Sequence, residues 1–214
     1  MFFYQKHLHS VQNIIRLYTY TFSVMVETSN TGDCAWLKLP TTRDAVKELF
    51  TKLQIKGNNY LISDCNFPIE QITSAILRCR NLNELNYFAV KFAELDPQRR
   101  ERFRQIIGSG VDWGECVAHC INLIYGMDYT FFWLSGVSTY EQVCEFHLAC
   151  QKISHAYVPT QHISQEKYAQ IGKELAHAER GKFFEGNYLA RTRNYYPDTY
   201  DGKIPVTYRV TDYR

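Results

Sequence analysis

Two apolar periodicities occupy the first third of the chain and predict strands combined with a helix. Phe22–Glu27 alternates weakly and is rich in strand-forming residues, and Cys34–Leu39 has the same character until Pro40 ends it. A third strand is predicted at Tyr60–Ser63, after the turn signal of Gly57 and its neighbours. The pattern indicates a compact α+β unit over residues 23–80.

Between the second and third strands, the sequence predicts a helix that runs to about Leu53. Thr41 is the expected N-cap, with Asp44 as the acidic residue three positions later, a variant of the capping box. Further towards the N-terminus, His9–Tyr18 has apolar residues at helical spacing and is predicted to be a short amphipathic appendage within an extension over residues 1–22.

The clearest helical pattern lies in residues 83–95. Its apolar positions recur every three or four residues, at Leu82, Leu85, Phe88, Ala89, Phe92 and Leu95. Asn83, Glu84 and Lys91 fall on the opposite face and are expected to meet solvent. Asp96 and Pro97 supply the N-cap and first position of a following helix.

The remaining pattern predicts a mostly helical segment over residues 81–150 and a small mixed segment over 151–214. Two helices, Asp112–Leu123 and Thr139–Cys150, are expected on either side of an aromatic loop at Tyr125–Trp133. A short helix near Gln165–Ala178 is followed by strand-like pieces, which are Lys182–Ala190 and Val206–Asp212. The predicted fold class is therefore α+β with a mainly helical middle.

Charge is nearly balanced over the 214 residues, with a formal net charge of +2, but it is unevenly distributed. No Lys or Arg occurs between Arg104 and Lys152. That window contains five carboxylates, Asp112, Glu115, Asp128, Glu141 and Glu145. A stretch with one sign of charge is a candidate partner-binding surface, although a solvated acidic face is an equally ordinary explanation.

Seven scattered cysteines and the absence of a convincing secretory signal predict free thiols and a cytoplasmic location. Helical spacing places Cys116, His119 and Cys120 on one face, and Cys144 and His147 on another. Two such helices facing each other could build a tetrahedral zinc site. The alternative is that these cysteines are small buried apolar residues on core helices, and we predict no cofactor.

No compact catalytic or phosphate-binding motif is present, and no apolar run is long enough for a membrane helix. An enzyme is therefore the least favoured class. The basic C-terminal third contains an arginine-aromatic segment at Tyr188–Tyr196, which includes Arg191 and Arg193. This composition allows a nucleic-acid-binding protein, although a surface strand explains it as well.

The order of several motifs resembles that of the ArdA-type antirestriction proteins of mobile genetic elements. The resemblance extends from about Val24 to the C-terminus and rests on segments in the family's order, which are Gly32–Pro40, Tyr60–Asp64 with Pro68, Asn81–Asn86, Thr139–His147 and Gln165–Lys173. Thr139–His147 aligns with the acidic, aromatic helix called the antirestriction motif. Gln165–Lys173 contains the Tyr168 and Gly172 of a late family step.

The resemblance implies an elongated chain of small α+β domains that dimerises and acts without catalysis in a bacterial host. Surface carboxylates of the family imitate DNA phosphates and occupy the DNA channel of Type I restriction–modification enzymes, since phosphate charge dominates DNA affinity. For this near-neutral chain, the resemblance implies partial mimicry through the acidic window. An anti-CRISPR inhibitor on the same scaffold is an alternative, and direct nucleic-acid binding is not expected.

An aromatic cluster at Phe131, Phe132 and Trp133 is the candidate dimer interface. Exposed apolar patches of this kind suit protein–protein contacts, because aromatic residues are enriched at the core of interfaces. Packing of the same rings within the chain's own core is the alternative.

Overall fold

The computed structural model describes residues 21–112, 114–150, 164–192 and 199–212. Within these ranges the helices are α1 (Arg43–Lys52), α2 (Thr73–Arg78), α3 (Leu82–Ala93), α4 (Pro97–Ser109), α5 (Val117–Thr130), α6 (Tyr140–Ala149) and α7 (Gln165–Ala178). The strands are β1 (Phe22–Thr28), β2 (Cys34–Leu39), β3 (Tyr60–Asn66), β4 (Phe131–Ser135), β5 (Lys182–Phe184) and β6 (Asn187–Arg191). The predicted α+β fold class is confirmed.

Two compact units divide the described residues, and neither is one continuous stretch of chain. The first unit contains residues 21–104, 114–125 and 199–212, and the second contains 105–112, 126–150 and 164–192. The two units do not change at residues 80 and 150, where the sequence analysis places domain boundaries. The division into four segments stays a prediction. The predicted helix His9–Tyr18 lies outside the described residues.

The first unit contains an antiparallel sheet in the order β2-β1-β3. Along β1 the side chains of Phe22, Val24 and Val26 are buried, while those between them are partly exposed. This alternation is the period-2 pattern that the sequence predicts for a half-buried strand. Phe22 packs edge-on against Phe67 and contacts Phe88 of α3, so the buried sheet face and α3 share one core.

Helix α1 begins one residue later than predicted, with Thr42 as its N-cap. The Thr42 side chain accepts a hydrogen bond from the Ala45 backbone N–H. Thr41 is buried instead, and its backbone N–H donates to Oδ1 of Asn86 at 2.7 Å. Two adjacent threonines are equivalent as caps in sequence, and a distant asparagine decides between them.

The polar face predicted for α3 does not meet solvent at Asn83, because the C-terminal segment covers it. Asn83 is 3% exposed, and its Oδ1 accepts hydrogen bonds from the backbone N–H groups of Val210 and Thr211 at 2.7 and 2.8 Å. Its Nδ2 donates to the carbonyl of Thr211. Asn86 donates to the carbonyl of Tyr208, so both asparagines hold the C-terminal segment.

Glu84 adds a third polar contact between α3 and this segment. Its carboxylate accepts a hydrogen bond from the Tyr200 hydroxyl at 2.9 Å.

The strand predicted at Val206–Asp212 is wrong, because its first three residues, Val206–Tyr208, form a turn of 3₁₀-helix. Side chains of α3 replace a neighbouring strand as partners of this backbone.

The prediction of an aromatic loop at Tyr125–Trp133 is wrong as well. Helix α5 continues to Thr130 and β4 follows directly. Leu123, Ile124 and Met127 are buried at helical spacing, which continues the apolar face past the predicted end. The same helix starts at Val117, later than the predicted Asp112, and Gly114 and Glu115 lie outside it.

The second sheet has the order β4-β6-β5 and is antiparallel. The stretch predicted as one strand, Lys182–Ala190, is a hairpin whose two-residue turn is Glu185 and Gly186. Both turn residues have positive φ, 48° and 75°, as a type I′ turn requires. Among the described residues, no helix is long and apolar enough to cross a lipid bilayer.

Replacing Asn83 with Ala is expected to lower the free energy of unfolding by about 2–4 kcal/mol, because two buried backbone N–H groups lose their acceptor. Asn59 is the matched control, since it is exposed and its hydrogen bonds to other described residues are made by its backbone. Urea unfolding of both Ala variants measures the difference. Equal losses for Asn83→Ala and Asn59→Ala would contradict the role of Asn83.

Candidate acidic interaction surface

Helix α6 carries two carboxylates of the predicted acidic window, and its start is defined by a complete capping box. The Thr139 hydroxyl oxygen accepts from the Gln142 backbone N–H, and the Gln142 side-chain oxygen accepts from the Thr139 N–H. This reciprocal arrangement satisfies two N–H groups that a helix N-terminus leaves unpaired. It confirms the predicted start of the helix and places Glu141 in its first turn.

The environment of Glu141 favours its ionised form. A hydrogen bond from its own backbone N–H, together with one from the Thr139 side chain, holds the pKa of Glu141 below its ordinary value. The helix N-terminus also favours a negative charge at this position. Glu145 lies one turn further along α6 and is exposed. The two carboxylates share a helix face, where their repulsion costs only about 0.2–0.5 kcal/mol.

The opposite face of α6 packs against α7 and β6 around a buried polar group. Glu179, at the C-cap of α7, accepts a hydrogen bond from the Tyr188 hydroxyl at 3.3 Å and lies 3.2 Å from Nε2 of His147. His147 and Tyr188 are 2% and 0% exposed, and the Glu179 side chain is 12% exposed. A carboxylate this deep needs such partners, so His147, Glu179 and Tyr188 form one buried network.

Close backbone approach brings α6 and α7 together at Gly172. A Cβ atom built on Gly172 would overlap the carbonyl group of Tyr140. Just beyond the C-terminal end of α7, a Cβ on Gly181 would overlap the Tyr188 hydroxyl. Both glycines therefore leave space that a side chain would fill. Gly172 makes room for the backbone of α6, and Gly181 makes room for the Tyr188 hydroxyl that reaches Glu179.

The candidate zinc ligands are not brought together. Cys144 and His147 are buried in the second unit, where His147 lies against Glu179. Burial raises the pKa of the Cys144 thiol, with a further contribution from Glu145, and this disfavours the thiolate that binds zinc. Cys116 and Cys120 belong to the first unit. Within the described ranges, no three His, Cys, Asp or Glu side chains form a potential metal site.

Catalytic use of the His147, Glu179 and Tyr188 network is disfavoured by its burial. Tyr188 and Cys144 have no exposed surface, and burial raises the pKa of the Tyr188 hydroxyl further above its ordinary range. A proton donor or nucleophile must reach its substrate within hydrogen-bond distance. The His147, Glu179 and Tyr188 network is therefore suited to holding α6 in place.

Asp112 does not belong to an exposed acidic surface. Its side chain is only 6% exposed, and one of its oxygens lies 2.8 Å from a guanidinium nitrogen of Arg191. The same guanidinium lies over the ring of Phe131, 5.4 Å from its centre. The window lacks basic residues in sequence, but β6 supplies one in space, so the prediction of Asp112 as a surface carboxylate is corrected.

Glu115 and Asp128 are both exposed, but they belong to different units. Glu115 lies in the first unit, where its carbonyl accepts a hydrogen bond from Arg78. Asp128 lies on α5 in the second unit. The pair that the structure places on one helix face is Glu141 and Glu145.

Two of the three candidate dimer-interface rings pack inside the second unit. Phe131 is 8% exposed and lies beneath Arg191. Phe132 packs against the hydrophobic cluster that includes Tyr188, and its ring stacks on Phe146 of α6. Trp133 is partly exposed. Core packing, the alternative considered from the sequence, therefore accounts for Phe131 and Phe132.

The sequence pattern did not single out Glu179 and Gly181, and it did not assign Tyr188 to this network. Glu179, Gly181 and Tyr188 lie about thirty to forty residues beyond α6, and no local motif links them to His147. Gly172 was marked by the family resemblance, and its contact with Tyr140 supplies a physical reason for a glycine there. Searches against protein-family models and curated protein sequences find no match to the chain.

Replacing Gly172 with Ala is expected to lower the free energy of unfolding by about 2–3 kcal/mol, because the new methyl group overlaps a backbone carbonyl that cannot rotate away. Thermal and urea unfolding measure the change, with Lys173→Ala on the exposed side of α7 as the control. Alanine in place of a helical glycine ordinarily stabilises a helix by about 1 kcal/mol. A more stable Gly172→Ala variant would therefore contradict the close approach.

Proposed function

We propose that this protein inhibits a host defence nuclease of the Type I restriction–modification class, acting as a partial DNA mimic. The proposal rests chiefly on α6, where Glu141 and Glu145 lie four residues apart and the pKa of Glu141 is held low. Segment Thr139–His147 is also the one that resembles the antirestriction motif. Inhibition in this proposal is non-enzymatic, requires no cofactor and takes place in the cytoplasm of a bacterial host.

The charge density of α6 supports partial mimicry better than a full imitation of the duplex. Four helical residues span about 6 Å along the axis. A DNA duplex carries one negative charge per about 1.7 Å, so the same length contains three or four phosphates against two carboxylates here. The rest of the binding free energy must come from other contacts, and Tyr140, which is 37% exposed beside Glu141, offers an aromatic one.

Direct nucleic-acid binding through the basic C-terminal third has less support. Arg191, one of the two arginines that suggest it, is paired with Asp112 and packed on Phe131. Its charge is therefore largely compensated within the second unit. The other arginine, Arg193, lies outside the described residues.

Reversing the two α6 charges tests the proposal. The double variant Glu141→Lys, Glu145→Lys is expected to lose inhibition of DNA cleavage by about tenfold or more, because two attractive contacts with a basic channel become repulsive. Inhibition by the unaltered protein is expected to weaken steeply as salt is raised. Cleavage assays with purified restriction enzyme measure both effects.

The matched control is Glu48→Lys, Glu70→Lys, which makes the same change in net charge at exposed positions of the first unit. It is expected to inhibit as the unaltered protein does, and circular dichroism should show that both double variants are folded. Full inhibition by the α6 variant, or salt-independent inhibition, would contradict charge mimicry through this helix.

Homodimerisation is part of the proposal, as the family resemblance implies. We expect light scattering at micromolar concentration to give twice the mass of the 25.1 kDa chain. Trp133 is partly exposed, whereas Phe131 lies beneath Arg191 and Phe132 packs against Tyr188 and Phe146. Trp133→Ser should then weaken the dimer, and a monomeric mass for the unaltered chain would contradict dimerisation.

A further inference from the structure

An open groove of about 650 Å³ runs along one face of α1 in the first unit. The residues of α1 and its C-terminal turn that line it recur at helical spacing, at Arg43, Lys47, Phe50, Thr51 and Gln54. Val210, Thr211 and Asp212 from the C-terminal segment line the groove as well. All of these residues belong to one compact unit.

The apolar floor of the groove consists of Phe50 and Ile55, which lie on either side of the tight turn that ends α1. Gln54 has a positive φ of 54°, and its N–H donates to the carbonyl of Thr51. The N–H of Ile55 donates to the carbonyl of Phe50 at 2.8 Å, which completes the helix-ending motif usually built on glycine. Phe50 and Ile55 are both partly exposed in the groove.

Cationic side chains form the walls. Lys47 and Lys56 are exposed, and neither ammonium group has a hydrogen bond or ion pair among the described residues. Arg43 is paired with the carboxylate of Asp212, so the chain itself seats one carboxylate on this wall. Two uncompensated positive charges beside an apolar floor leave the groove complementary to a segment that is both acidic and apolar.

We propose that this groove binds an acidic, amphipathic segment of a partner protein. Carboxylates of the segment pair with Lys47 and Lys56, while an apolar side chain between them covers Phe50 and Ile55. A nucleic-acid backbone would supply the charge but no aliphatic group for this floor. The Phe50 ring already packs against Tyr60, 5.3 Å between centres, which leaves it poorly placed as a platform for base stacking.

Asp212 acts as a competitor for the incoming carboxylates, because its own carboxylate occupies Arg43. Removing that charge frees the guanidinium for a partner. This gives the groove two variants with opposite expected effects: reversing Lys47 and Lys56 weakens binding, and neutralising Asp212 strengthens it. No residue of α6 takes part, so this proposal stands or fails independently of the proposed inhibitory function.

The test uses a fluorescein-labelled helical peptide with Glu at every fourth position and Leu beside each Glu. Fluorescence anisotropy should show binding to the full chain and none for the same peptide with Gln in place of Glu. The variant Lys47→Glu, Lys56→Glu should weaken binding by about tenfold or more, and Asp212→Asn should strengthen it by about two- to threefold. Lys167→Glu, Lys173→Glu on exposed α7 positions is the charge-matched control and should bind as the unaltered chain does.

Several results would overturn the proposal. Equal binding of the Glu and Gln peptides, or equal weakening by both double variants, would show that the groove does not recognise the segment. Labelled single-stranded or duplex DNA that binds more tightly than the peptide, with its affinity lost in the Lys47→Glu, Lys56→Glu variant, would identify a nucleic-acid site instead. Self-association abolished by the same variant would make a second copy the occupant.

Discussion

Burial of the Glu179 carboxylate is the constraint on which the second unit depends. A buried carboxylate without partners would be strongly destabilising, and here the partners come from the end of α6 and from β6, as His147 and Tyr188. Gly181 leaves room for the Tyr188 hydroxyl, and Gly172 lets α7 approach the backbone of α6. With one face of α6 held in this way, Glu141 and Glu145 lie on the other face of the helix, where Glu141 is partly exposed and Glu145 is exposed.

Sequence periodicity predicted the elements that bury one face on a local core. The alternation in β1, the apolar stripe of α3 and the helical spacing of α6 each depend on residues within about one turn or one strand of each other. Periodicity failed where a distant segment decides the outcome. Asn83 appears solvent-facing in the pattern, yet residues about 130 positions away cover it. The choice of Thr42 over Thr41 as a cap depends in the same way on Asn86.

The candidate site shows the same division between local and long-range information. Glu141 and Glu145 were predictable as a pair because helical spacing alone places them on one face. The burial of Asp112 was not predictable from sequence. Its partner Arg191 follows it by 79 residues and is placed beside it by β6, which pairs with β4 in the second sheet. A window without basic residues in sequence therefore gives only an upper limit on the exposed negative charge. The pairing also removes Arg191 from the basic surface that the C-terminal composition suggests.

Displacement of DNA from a Type I restriction–modification enzyme tests the central claim most directly. A fluorescently labelled duplex is bound to the enzyme, the protein is added, and anisotropy is followed at increasing salt, with the protein and duplex alone as the reference. If α6 imitates phosphates, the protein releases the duplex, binds no DNA itself, and loses this effect as ionic strength rises. A duplex that stays on the enzyme, or that binds to the protein directly, would contradict DNA mimicry.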